Sequence, residues 1–348
     1  MQAIRQPARR RGWARWKALG GMALMALLLS APQAAATGAA RAMASWYASV
    51  APALFPFLTL MPLLTCREAA GVYQRWLGRA MGAAFNLPGA AAPAMVVGMV
   101  AGAPAGTLAA RSIATDSGMT RGQLTRVAVA ACGFSPAFLI GGIGVGMLNS
   151  AALGWRLLEA QLMTQTTLAL LTRRLWANRL QPVPALASAA ADQPVRAAVL
   201  GVLTIGGYMA LFGALAGALE RCVGSGGANL LLCLLDVPSG ARQIAALPLD
   251  KAVKLPILAA MCGSGGACVI AQNLGALKGC GVRPGEYVGM RVAAAAISAG
   301  YMSLLARMDG GGLGCLASAL RANPFALTGL AASLLLVPVL FKLGKSVS

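Results

Sequence analysis

Two stretches of the chain, about 130 residues apart, repeat one pattern of interruptions inside apolar sequence. In the first, Pro104-Ala105-Gly106 is followed 28 residues later by Cys132-Gly133. In the second, Pro238-Ser239-Gly240 is followed 24 residues later by Cys262-Gly263. Proline removes a backbone donor and glycine permits left-handed angles, so each interruption breaks a helix. Backbone left unpaired in lipid is costly, and such breaks survive only where protein or a wet cavity covers them. Paired broken helices in corresponding positions of two halves are the sequence pattern of a carrier's binding site.

Composition supplies the setting. The chain of 348 residues is 58% hydrophobic and 11% charged, too much apolar surface for a soluble domain to hide. Several windows approach 20 residues with almost no charge, the length that crosses a bilayer. The expected fold is an all-α polytopic membrane protein. The 29 basic residues outnumber the 9 acidic ones, but they sit in short clusters between apolar segments, as orientation signals do. A long basic tail and an aromatic-interleaved basic patch are both missing, which argues against a nucleic-acid partner. The sequence contains no histidine, which excludes Ser-His-Asp and Cys-His catalysis and His-ligated metal sites. It has no phosphate-loop motif either. None of the eight cysteines forms a C-x-x-C pair, and no disulfide framework is implied. An enzyme would need an acid–base pair that the chain does not offer, so no catalytic residues, cofactor or metal are expected.

Eight spans are read at about 18–38, 45–65, 127–148, 155–172, 197–219, 252–275, 287–306 and 325–341. The segments 88–110 and 225–249 do not fit as simple crossings. Arg67, Arg75 and Arg79 precede 88–110, and Arg111, Arg121 and Arg126 follow it, so both flanks look cytoplasmic and the segment must dip and return. The 225–249 segment behaves likewise from the other side, turning near Asp236-Val237-Pro238-Ser239-Gly240. With this topology 21 of the 29 basic residues fall on the cytoplasmic side. The expected organisation is a basic N-terminal segment and first span at 1–44, read either as a signal sequence or as an uncleaved span. A first repeat follows at 45–176 with a re-entrant hairpin at 88–110, then a cytoplasmic linker at 177–196. The second repeat, 197–348, carries a hairpin at 225–249. The two repeats are inverted relative to each other.

The candidate substrate-binding residues cluster at four breaks. They are Gly102, Pro104 and Gly106 at the first tip, and Ser135 and Pro136 in the first broken span. At the second tip they are Asp236, Ser239, Gly240 and Arg242, and in the second broken span Ser264, Gly265, Gln272 and Asn273. Half-helix N-termini at breaks present free N–H groups and partial positive charge, which suits anions. A packing role for the glycines, as in Gly98-x-x-x-Gly102-x-x-x-Gly106, is the competing reading for any single break. Asp236 is either a proton- or cation-coupling carboxylate, a helix cap for the returning arm, or a pair with Arg242 six residues on. Arg111 and Arg242 are either anion-attracting groups or interfacial anchors.

Five segments also carry a resemblance. They are Ala51-Pro-Ala-Leu-Phe-Pro-Phe57, Gly98 to Gly106 with Pro104, Cys132-Gly-Phe-Ser-Pro-Ala-Phe138, Leu235-Asp-Val-Pro-Ser-Gly240 and Gly265-Gly-Ala-Cys-Val-Ile-Ala-Gln272. Together, over roughly 45–305, the sequence resembles the sporulation integral membrane protein family (YlbJ-type), built on the nucleoside-recognition or gate domain. The resemblance implies a fold similar to concentrative nucleoside transporters. It further implies a multi-pass carrier of a small anionic metabolite, dipicolinate, in the outer forespore (mother-cell) membrane. Nucleosides are the alternative substrate. The implied partners are that small molecule and the lipid bilayer, with a homo-oligomer left open. The rival from another class is a non-transporting membrane scaffold needed for spore-envelope or cortex assembly.

Overall fold

A computed structural model of the chain describes residues 8–175, Val183 and 193–307. The expected last span, 325–341, and most of the 177–196 linker lie outside the described residues. The described chain is all-α, without a β-strand.

The helices are α1 (Ala8–Ser30), α2 (Pro32–Ser45), α3 (Ala51–Thr65), α4 (Arg67–Phe85), α5 (Ala92–Val100), α6 (Ala105–Asp116) and α7 (Arg121–Ala130). A π-helical stretch, Ala137–Val145, runs into the short α8 (Gly146–Leu148). Then come α9 (Ala151–Leu171), α10 (Pro194–Leu235), α11 (Val237–Ala246), α12 (Lys251–Ser264), α13 (Gly266–Ala276) and α14 (Pro284–Arg307). Local chemistry sets their ends. Thr120 and Gln123 form a reciprocal capping box that starts α7. The Ser150 hydroxyl accepts from the Leu153 N–H at the start of α9. Asn86 and Asn149 stop α4 and α8 in left-handed conformations, which asparagine tolerates better than most residues.

Three helices are long and apolar enough to cross a membrane: Pro194–Cys222, Lys251–Ala276 and Pro284–Ala306. The number rises to five if two bent pairs each count as one span. The expectation of eight is therefore supported only to three to five among the described residues. The shortfall has local causes. The first expected span, 18–38, bends by 98° at Ala31, because Pro32 drives the preceding residue out of the helix. The 127–148 span is divided by the non-helical 132–135. The helix at 155–172 is long enough, but Arg156, Glu159, Gln161 and Gln165 make it too polar to pass.

The helix α10 is 42 residues long and cannot be one straight rod. At 1.5 Å per residue, Asp236 would then stand about 40 Å from Met209. Both line the same small recess, and the Gln243 amide donates to Glu220 Oε1 at 2.7 Å. The helical backbone therefore bends back between Cys222 and Leu234 and returns the chain to the level of Met209. The outgoing arm packs antiparallel against α2 and α3. Gly38 and Gly213 meet backbone to backbone there, and Trp46 Nε1 donates to Val202 O at 3.0 Å. A similar reversal joins α5 to α6, whose facing Gly98 and Gly106 leave no room for a side chain between them. Each half thus holds a hairpin, a broken helix and a further helix in that order; the first half also carries α4 ahead of its hairpin, without a counterpart among the described residues of the second.

Candidate functional site

Each hairpin tip rests on the broken helix that follows it. At the first tip the Ala103 N–H donates to Gly133 O at 2.6 Å. Gly102 sits at φ +81°, and a Cβ there would stand 2.8 Å from Ser135 N. Only glycine meets both conditions. At the second tip, Gly266 faces Leu235 O and the Val237 side chain; a Cβ added to it would stand 3.3 Å from each. The break between α12 and α13 is made by Gly265 and Gly266, both at positive φ.

Where the four breaks converge there is a cavity of about 600 Å³, within the usual size of small-molecule sites. Ala101 and Ala103 of the first tip, Phe134 and Ser135 of the first break, Asp236 and Pro238 of the second tip, and Cys268, Val269 and Gln272 of α13 form its wall. Phe134 and Phe138 add an aromatic pair, ring centroids 5.0 Å apart, and Met147 and Met209 add soft apolar surface. The cavity continues past Ser45, Met209, Asp236 and Arg242 into a narrower recess where Arg41 and Glu220 stand 4.0 Å apart.

Of the thirteen residues expected from sequence, Ser135, Asp236, Arg242 and Gln272 lie on the cavity wall, and Ser239 lines the adjoining recess. The others support the wall from behind. Gly102, Pro104 and Gly106 shape the first tip, and Pro136 starts the π-helical stretch. Gly240 lies buried in α11. The Ser264 hydroxyl donates to Met261 O (2.8 Å) and accepts from the Gly266 N–H, and Gly265 bends the chain. Asn273 is fully buried and donates to Cys132 Sγ at 3.1 Å, so it ties the two broken helices together instead of facing the cavity. Asp236 caps α11: its Oδ2 accepts from the Ser239 N–H (3.1 Å) and hydroxyl (2.6 Å). The positive end of that helix is thus already met by the chain's own carboxylate. Two half-helix N-termini remain beside the cavity, those of the π-helical stretch at Ala137 and of α13 near Cys268.

Several basic residues turn out to be helix caps. Arg291 is buried, and its guanidinium donates to Ser264 O (3.2 Å), Val129 O (3.3 Å) and Gly263 O. It therefore holds the C-terminal ends of α7 and α12, one from each half, where four carbonyls per helix lack intrahelical partners. Arg111 Nη1 donates to Ala276 O at 2.8 Å, at the end of α13. Arg126 is buried and donates to Phe85 O, Asn86 O and Arg173 O. Arg126 and Arg291, both counted in the sequence among the cytoplasmic-side charges, are thus internal caps.

Sequence reasoning missed Gln161. Its Oε1 accepts from the Phe134 N–H (2.7 Å) and its Nε2 donates to Phe134 O (2.8 Å), replacing both hydrogen bonds that the break removes. Gln161 and Gln165 stand four residues apart on one face of α9, and that spacing was the available signal. Gln161→Ala is expected to lower stability by about 1–2 kcal/mol by orphaning two part-buried backbone groups, read as a drop in melting temperature of the detergent-purified protein. Gln161→Glu keeps the acceptor but loses the donor and is expected to fall between.

The chain is similar to the sporulation integral membrane protein YlbJ of Bacillus subtilis (strain 168), 27% identical over 150 residues. The match covers 43% of this chain and 37% of the relative, so the chain spans little more than a third of that protein's length. It supports the YlbJ-type resemblance carried by the motifs. No family model matches the chain. No solved structure matches it.

Proposed function

We propose, from the similarity to YlbJ and from the converging breaks, that this chain is an integral membrane carrier of a small, polar, anionic metabolite in a sporulating cell. The observation that carries the reading is the 600 Å³ cavity with a wall drawn from both tips and both broken helices. The α5–α6 and α10–α11 reversals act as re-entrant hairpins from opposite faces, in an inverted repeat over 45–176 and 197–348. Basic clusters put the Arg173–Arg174 end in the cytoplasm. The recess with Arg41, Glu220 and Arg242 then lies toward the other side and serves as the approach to the site. Alternating access follows from movement of one half against the other around the fixed cavity.

Dipicolinate is the substrate proposed, with the outer forespore membrane as its place by family resemblance. The Phe134–Phe138 pair offers a face for a planar ring, Gln272 and Ser135 offer hydrogen bonds, and Arg242 offers a cation. Nucleosides would use the same aromatic face without needing Arg242. The chain is not proposed as an enzyme. The rival scaffold reading is favoured by the small number of polar wall residues.

The test is flux of labelled dipicolinate into liposomes holding only this protein. Uptake above protein-free liposomes, competed by unlabelled dipicolinate and reduced about 10-fold or more by Arg242→Gln, is the expected result. Flux equal to that of protein-free liposomes sinks the carrier and leaves the scaffold. Asp236→Asn removes a cap and a charge together. If Asp236 couples transport to protons, this variant loses the dependence of uptake on a pH gradient, whereas a pure cap leaves that dependence intact.

A further inference from the structure

We propose that the outer face of α4 is a docking surface for an anionic lipid headgroup layer. The helix is two-sided. Ala70, Met81 and Phe85 are buried against the core, and Leu77 packs beside them. Val72, Arg75, Trp76 and Arg79 recur at helical spacing on the opposite side and are all exposed. Trp76 is 79% exposed, and no other large hydrophobic among the described residues is more so. A tryptophan with arginines beside it and one turn on suits the headgroup region. The ring sits at the level of the glycerol backbone and the guanidinium groups reach phosphates.

Two further observations place this face. First, α4 is turned by 91° from the Gly89–Val100 segment, so if α5 runs along the membrane normal, α4 lies in the membrane plane. Second, the C-terminal end of α4 is tied to the basic end of the fold. Asn86 Nδ2 donates to Arg173 O at 3.0 Å, and Arg126 bridges Asn86 O and Arg173 O. The exposed arginines therefore share an end with Arg173 and Arg174, the side that the charge distribution assigns to the cytoplasm, where anionic lipid is concentrated. Glu68 stands on the same side in the first turn of α4, but from Arg75 to the end of the helix at Phe85 the sequence holds no acidic residue, so the C-terminal half of the face carries a net positive charge.

The experiment titrates the purified full chain, in neutral detergent, with phosphatidylglycerol, phosphatidylcholine or inorganic phosphate and follows the melting temperature. Phosphatidylglycerol is expected to stabilise the parent more than phosphatidylcholine does, and the Arg75→Gln/Arg79→Gln pair weakens that effect by roughly 10- to 30-fold in apparent affinity. Equal response of parent and double variant overturns the proposal. So does full reproduction of the effect by inorganic phosphate, which would make this a free-anion site. Should the double variant not fold, the part of the tryptophan emission lost in Trp76→Phe is compared in nanodiscs with and without lipid brominated near the headgroup. Quenching of that part supports the surface, and its absence sinks it. Neither measurement depends on transport, so a failed flux assay leaves this surface standing.

Discussion

Gly98→Leu is expected to cost the protein about 3 kcal/mol or more and to prevent accumulation of folded material. A Cβ at Gly98 would collide with the carbonyl of Ala131, and its nearest neighbours are all backbone atoms. No side-chain rotation relieves the clash, so α5 must separate from the end of α7. That separation pulls the first tip away from the break it rests on and opens the Ala103–Gly133 hydrogen bond. Gly98→Ala already meets the obstruction and should fall part of the way. Gly71→Ala is the control: its position has open space within 4 Å, and helical alanine outperforms glycine. Melting temperatures of the three variants in one detergent check the ordering. A Gly98→Leu protein that melts with the parent would show that the hairpin does not pack as described.

Arg291→Met is the second large effect, about 3–5 kcal/mol of destabilisation. Methionine fills much of the volume, but it leaves Val129 O, Gly263 O and Ser264 O facing a dry interior without a donor. Arg291→Lys keeps the charge on a single point and cannot reach three carbonyls in two directions, so it recovers only part of the loss. Because the guanidinium joins ends from both halves, Arg291→Met should also raise thiol-labelling of Cys132 and Cys262, which are buried beside the two breaks in the parent. A structural cap serving one helix alone would move only Cys262. Labelling kinetics in folded detergent samples distinguish the two, and unchanged labelling of both cysteines rules out the joining role.

Much of the frame was written in small residues. Glycine and proline at 102–106, 133–136, 238–240 and 263–266 cluster where helices begin or end; Gly102, Gly265 and Gly266 take left-handed angles there, and Pro104, Pro136 and Pro238 stand at helix starts, where the missing donor costs nothing. A capping role for Asp236 was among the readings the sequence left open, and its Oδ2 does accept from the Ser239 N–H. Other features were hidden because one residue type serves two ends. Arg126 and Arg291 read as cytoplasmic-side charges, since a basic residue near an apolar run looks the same whether it faces water or a row of carbonyls. The bend at Ala31 had a signal in Pro32, but the apolar run before it resembles any first span or leader. Wall residues such as Phe134 and Met209 are invisible in sequence, because an apolar side chain facing a cavity and one facing a core have identical patterns.

The seams between tip and break are made chiefly of main-chain atoms: Ala103 to Gly133, Gly102 against Ser135, Gly266 against Leu235. Peptide groups are common to every amino acid, so outside the glycines that the close approach requires, such as Gly98, Gly102 and Gly266, these seams make little demand on side-chain identity. A scaffold held this way can drift far in sequence and keep its shape. Under the carrier reading proposed above, cargo preference can then be rewritten by changing a few projecting groups while the architecture stays put.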